Sequence, residues 1–430
     1  MFARALVRRF PVFGYRDFVL LLADRLLAPA AFAFSLVGVS FAVLDATGST
    51  ADLSYVLAAQ IAPSLIFAVA GGVIADRLPP QWVIIAANVM IALGEGTFGV
   101  LDLAGHPRLW QMILLEALTG TGMAVFYPAS QALLPRLVPG ELLQQASAIS
   151  RLATNAAQMG GAVVAGFCVA AFGPGWALAV CGVGSLISVP MLLSIRVTGH
   201  ARVQETSMLR DLRDGWSEFR SHTWLWSISL QFGVVLMAWY GAFQILGPVV
   251  ARAHLGGPAA WGEITAADAV GLIAGGIVSL RFTPRRPMLF VVIIGAAIAI
   301  APLSLAMLWP LPLVCLAAFG LGITIEIMMV QWTVAMARNI PPGKLARVSS
   351  YDLLGSVMAM PIGALVAGPL AAAIGVSVTQ YGAAILIVAV SALALIPRDV
   401  RRMRAGDAPA AAPDQETSSA SPVNAAHIAA

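Results

Sequence analysis

Charge is scarce in this chain. Only 11% of its 430 residues are Asp, Glu, Lys or Arg, against about 25% in an average soluble domain, too few to cover a water-facing surface. Histidine is scarcer still. His106, His200, His222, His254 and His427 all fall in segments read as loops or tails, so neither a metal centre nor an intramembrane metalloprotease is expected. The three cysteines, Cys168, Cys181 and Cys315, have no paired spacing and read as small apolar fillers within helices. A phosphate-binding loop is also missing: Gly343-Lys344 is followed by Leu345, with no glycine ahead at the required spacing, which excludes direct use of ATP. Neither an enzyme nor a bound cofactor is expected.

What the chain has in abundance is apolar sequence, 59% of it, gathered in runs near the 20 residues that cross a bilayer core of about 30 Å as helix. Twelve spans are predicted, over 17–43, 52–75, 82–103, 109–133, 142–172, 176–195, 223–249, 260–281, 287–309, 311–337, 348–374 and 376–397. An even number puts both termini on one side. Short cytoplasmic loops retain Lys and Arg, and with the termini inside, the cytoplasmic segments hold 21 of the 25 basic residues. Outside loops then hold only Arg108 and Arg252. The pI near 9.2 thus reflects topology and gives no hint of nucleic acid. MFARALVRRF at the N-terminus is basic like the start of a signal peptide, but the long charged span behind it is expected to stay attached as the first helix.

The chain also repeats itself. GGVIADRLPP at 71–80 returns as GGIVSLRFTP at 275–284, and GAVVAGFCVAAFG at 161–173 returns as GALVAGPLAAAIG at 363–375 with 8 of 13 positions identical. PGEL at 139 returns as PGKL at 342, so the three offsets are 204, 202 and 203. A unit of about 200 residues used twice predicts two parallel six-helix bundles, with the working site between them. The expected division is a first bundle over 1–195, a cytoplasmic connector over 196–222, a second bundle over 223–397 and a disordered tail over 398–430. Met208, Leu209, Leu212, Trp216 and Phe219 recur at helical spacing in the connector, which reads as a helix on the membrane face or as a plain tether.

The segment Gly72, Ala75, Asp76, Arg77 between the second and third spans resembles the signature loop of the major facilitator superfamily. Asp24 with LDATGS, FYPASQALLPRLVPGELLQQASAI and IPPGKLARVSSYDLL resemble its bacterial drug:proton antiporter branch, which includes macrolide and enterobactin exporters. The resemblance implies an all-α membrane fold of twelve helices, a central cavity lined by the first, fourth, seventh and tenth, and a gating loop at Gly72, Asp76 and Arg77. Two departures stand beside it. Pro79, Pro80 and Gln81 follow the loop in place of Gly and basic residues, and Gly160-Gly161 stands where antiporters carry Gly-Pro.

Ionisable side chains deep in the spans are Asp24, Arg25, Glu95, Glu116, Arg151, Asp268 and Glu326. Each costs about 2.5 to 3.5 kcal/mol at a helix centre, so each needs a partner, a wet cavity or a function. Glu326 sits mid-span with no basic residue within one turn and is the first choice for proton or cation recognition; a hydrogen-bonded neutral acid is the alternative. Asp24, Arg25 and Arg151 lie at similar depth and read either as a buried ion pair or as transport residues. Glu116, with Thr119, Met123 and Tyr127 on its face, is a cavity candidate, whereas Glu95 and Asp268 read as structural. Met237, Tyr240 and Gln244, with Trp239 beside them, would give the seventh helix an aromatic and flexible wall suited to large apolar cations.

The function expected is proton-coupled efflux of an amphipathic small molecule across the inner membrane, by a monomer whose partners are substrate, protons and lipid. An exporter of one metabolite such as a siderophore, an uncoupled facilitator or importer, and a membrane sensor or scaffold are the alternatives.

Overall fold

A computed structural model describes residues 10–77, 79–105, 107–195, 216–279, 281–282, 284–340, 348–349, 351–352, 355–356 and 358–403, with side chains for all of these except 64–77 and Tyr127. Helix is the only regular structure among the described residues. Lipid offers no hydrogen bonds, and a helix satisfies its own backbone. The elements are α1 (Arg16–Thr47), α2 (Thr50–Arg77), α3 (Pro80–Leu103), α4 (Leu109–Leu133), α5 (Leu143–Phe172) and α6 (Pro174–Leu193). There follow α7 (Thr223–Leu255), α8 (Pro258–Ser279), α9 (Pro287–Ala306) and α10 (Leu311–Asn339), then α11 (Met360–Ile374), α12 (Val376–Leu393) and the short α13 (Arg398–Arg402).

Among the described residues, ten helices are long and apolar enough to cross a membrane, and α11 is a shorter apolar helix of 15 residues. The eleventh span, expected over 348–374, is regular in its Met360–Ile374 part, with 358–359 in a turn. α7 is not uniform either. Its α-helix ends at Trp239 and passes into wider π turns at Tyr240–Ile245 and Ala251–Leu255. Large apolar side chains such as Val100, Leu114, Phe172, Ile385 and Leu393 point outward, the surface that lipid would cover.

Packing sorts the helices into two groups. In the first, α1 packs on α5 and α6, α3 on α4 and α6, and α2 on α4; in the second, α7 packs on α11 and α12, α9 on α10 and α12, and α8 on α10. The groups meet chiefly through α5 against α8 and α2 against α11. The α5–α6 and α11–α12 corners turn on Gly173 (φ 88°) and Gly375 (φ 94°), a left-handed conformation that glycine adopts without steric cost.

We call the end where α1 begins the near end. At the far end the groups touch closely. A Cβ on Gly166 of α5 would lie 2.8 Å from Gly262 Cα of α8, and Gly368 of α11 packs on Thr50 and Ser54 of α2. Arg252, at the end of α7, reaches Asp45 of α1 at 2.9 Å. One apolar cluster runs across the junction, including Val43 and Leu44 of α1, Leu53 of α2, Ile245 and Leu246 of α7, and Ala371 of α11. These contacts seal the far end.

Of the connector, residues 196–215, with Met208, Leu209 and Leu212, lie outside the described residues. Its last turn, 216–221, is helical. There Trp216 stacks on Phe219 at 5.9 Å, and both rings pack against Tyr351, at 5.5 and 6.2 Å.

Candidate functional site

Behind the far-end seal lies a cavity of about 620 Å³, walled by α1, α3, α4, α5, α6 and α10. Its lining runs from mid-helix positions (Phe32, Asn88, Met123, Glu326) to residues near the near-end termini (Ser130, Gln131, Thr333, Val334). A ligand of modest size therefore reaches the middle of the bundle from the near side.

Among the described residues, three charged side chains line the cavity: Arg25, Arg151 and Glu326. Arg25 donates from Nη2 to the Ser130 carbonyl at 2.8 Å, which ties α1 to α4. Arg151 is exposed to the cavity, and its guanidinium acts electrostatically on Glu326 across the gap between the helix groups. Glu326 is half-buried and rises along the glycine face of α8: a Cβ on Gly275 would lie 3.0 Å from its Cβ, and one on Gly276 3.8 Å from its Oε1. The glycine pair that repeats Gly71-Gly72 thus leaves room for this carboxylate.

Neutral polar side chains complete the wall. Thr154, Asn155 and Gln158 follow Arg151 on α5 and share its face, and Asn88 of α3 is 1% exposed with both amide atoms lacking a hydrogen-bond partner among the described residues. A polar stripe at i, i+3, i+4 and i+7 in a membrane helix needs water or ligand opposite it. That spacing was the signal in the sequence that the charges alone did not carry.

The other sequence candidates go elsewhere. Asp24 is fully buried and faces Ser188 of α6, outside hydrogen-bonding geometry; no Asp24–Arg151 ion pair occurs among the described residues. Neighbouring residues on a helix point about 100° apart, which separates Asp24 from the cavity that Arg25 enters. Glu116 is sealed inside the first group, accepting from Gln60 Nε2 at 2.7 Å, and Glu95 beside it accepts from Ser35 Oγ at 2.6 Å. Each of these bonds joins two helices. Asp268 lies on α8 where Gly322 brings α10 against its backbone.

Met237, Trp239, Tyr240 and Gln244 do not line this cavity. Trp239 instead stacks on Phe243, and Phe243 packs on Trp261, while Tyr240 packs on the far-end cluster. The side chains of Tyr127 and of Gly72, Asp76 and Arg77 lie outside the described residues; the backbone of the last three belongs to α2.

Sequence reasoning passed over Asp352, although it stands in the YDLL stretch. Ser229 Oγ of α7 donates to its Oδ1, and Trp332 Nε1 of α10 donates to its Oδ2 at 2.8 Å. It ties three near-end segments together without reaching the cavity.

A multi-pass helical bundle, sealed at one end around a polar cavity entered from the other, defines a membrane transporter for small molecules, not an enzyme. Residues 26–267 match the Major Facilitator Superfamily, and the chain belongs to that family. It is 24% identical over 380 residues to macrolide efflux protein A of Streptococcus pyogenes, covering 85% of this chain and 92% of the relative. It is 28% identical over 339 residues to the enterobactin exporter EntS of Escherichia coli O1:K1 / APEC, covering 78% and 80%. The fold is also that of the nucleoside transporter NupG, with a TM-score of 0.70 at 12% identity over 90% of this chain and 100% of that one.

Proposed function

We propose that this protein is a secondary active exporter, coupling proton entry to efflux of an amphipathic small molecule by alternating access. The observation that carries the reading is Glu326: a carboxylate on the wall of a cavity between two helix groups, facing Arg151 of the other group. A carboxylate so placed exchanges its proton with whichever side the cavity meets, and a membrane potential adds about 2.3 kcal/mol per charge per 100 mV. Macrolide efflux and enterobactin export by the relatives support the outward direction.

The same reading takes the two groups as repeats, 1–195 and 223–397, joined by the connector. The matching helix pairs and the glycine corners at Gly173 and Gly375 support it. It places both termini in the cytoplasm, the protein in the inner membrane as a monomer, and the gate at Gly72, Asp76 and Arg77. Export of one dedicated metabolite is the second reading, favoured by the amide-rich wall.

Proton movement in proteoliposomes under an imposed pH gradient tests the proposal, with lipophilic cations, macrolides and siderophores as probes and wild type compared with Glu326→Gln. Substrate-triggered proton flux that vanishes in the variant is the expected outcome. Substrate flux that moves no protons and is unchanged in Glu326→Gln would leave an uncoupled facilitator and refute the antiport.

A further inference from the structure

Resting on the transport reading, we infer that the cavity selects its substrate by an anionic group, which docks at the Arg25–Arg151 side of the wall while neutral polar groups of the substrate meet the amides of Asn88, Asn155 and Gln158. The substrate class is an organic anion or zwitterion bearing a carboxylate, phenolate, sulfonate or phosphate.

Three observations lead there. The first is the balance of charge: among the described residues, two guanidinium groups and one carboxylate line the cavity. Asp24, the nearest further acid in the sequence, acts electrostatically on Arg25 but is itself fully buried, faces α6 and lies outside the lining, so Arg151 is the guanidinium that decides the preference.

The second is proximity. The Thr154 hydroxyl is 3.5 Å from the Arg25 carbonyl, and Thr154 lies one turn beyond Arg151 on α5, so the two arginines enter the cavity from adjoining stretches of α1 and α5. Arg151 makes no ion pair among the described residues. Guanidinium presents a planar fork of donors that fits a carboxylate or phosphate oxygen pair.

The third is what the wall does without. Recognition of large apolar cations uses aromatic faces and a surplus of acids. Here Trp239 and Phe243 are spent on packing, and Phe32 and Phe126 are the aromatic side chains among the described lining residues.

A positively charged cleft with low-dielectric walls raises the local concentration of anions by about 10- to 1,000-fold. That property is measurable without knowing the substrate. In the full chain with Cys168, Cys181 and Cys315 replaced by alanine, a single thiol is placed on the wall as Gln158→Cys or, in a second variant, Thr333→Cys. Its reaction rates with the sulfonatoethyl and the trimethylammonioethyl methanethiosulfonates are each divided by the rate for a free thiol in the same buffer.

The expected ratio of anion to cation is about tenfold or more at both positions. Arg151→Gln should lower it to about threefold or less, and Arg151→Lys should restore it, since Lys keeps the charge. A ratio at or below one at either position, or a ratio that Arg151→Gln leaves unchanged, overturns the inference; a thiol at either position suffices to decide. The result does not depend on flux. A chain that transports yet favours the cationic reagent fails this inference alone, whereas one that favours the anion but moves no substrate fails the transport reading alone.

Discussion

A single methyl group at position 166 should weaken the far-end seal. In Gly166→Ala, the new Cβ would stand 2.8 Å from Gly262 Cα and 3.0 Å from the Pro258 carbonyl oxygen, whereas carbon atoms in comfortable contact are about 3.5–4.0 Å apart. Backbone lies on the other side, so no rotamer change gives relief, and α5 and α8 must separate by roughly 1 Å or carry overpacking of about 1–3 kcal/mol. α5 itself gains, because alanine is favoured over glycine inside a helix by about 0.5–1 kcal/mol. The penalty therefore falls on the junction between the groups. If the sealed far end is one of two states, that penalty shifts the equilibrium toward the opposite opening by about 5- to 150-fold.

The readout is labelling of Thr333→Cys by a neutral maleimide in nanodiscs, which should slow in Gly166→Ala and Gly262→Ala as the near-side opening becomes less populated. The double variant should slow it by less than the product of the singles, since both crowd the same contact and one separation of the helices accommodates both. Gly160→Ala is the control on the same helix: nothing lies within 4 Å of its Cβ, and its labelling should match wild type. Labelling unchanged in folded Gly166→Ala and Gly262→Ala would refute the claim that this close approach holds the far end shut.

The Arg252–Asp45 bridge belongs to the same seal but is 44% and 49% exposed. Such pairs are worth about 0.2–1 kcal/mol, so Asp45→Asn should change labelling by less than about fivefold and by almost nothing in 1 M salt; an effect as large as that of Gly166→Ala, persisting in salt, would contradict the exposed geometry. Asp352→Ala strands the Ser229 hydroxyl and the Trp332 indole N–H, at about 1–3 kcal/mol for the buried Ser229 and less for the half-buried indole. Its melting temperature should fall clearly below that of wild type, with Asp352→Asn in between, and a wild-type melt would show that the network adds no stability.

Helix positions were legible because the bilayer sets their length. The spans expected over 109–133 and 311–337 lie close to Leu109–Leu133 and Leu311–Asn339. The cavity charges were legible for a related reason: Arg25, Arg151 and Glu326 are too costly in lipid to lack a wet or paired environment. That argument does not say which environment, and it treated Glu116 like Glu326, although one is locked to Gln60 inside a helix group and the other faces the cavity. Amides such as Asn88, Asn155 and Gln158 cost less and so stood out less. The seventh helix shows a different limit. A stripe from Met237 to Gln244 assumes 3.6 residues per turn throughout, but the chain enters a π turn at Tyr240, where Leu246 N–H bonds back five residues to the Gly241 carbonyl at 3.3 Å. The wider turn changes the angle between successive side chains, so residues before and after it no longer share the face that a constant period assigns them. Trp239 and Phe243 then turn to Trp261 and the core, and the cavity is left to polar side chains.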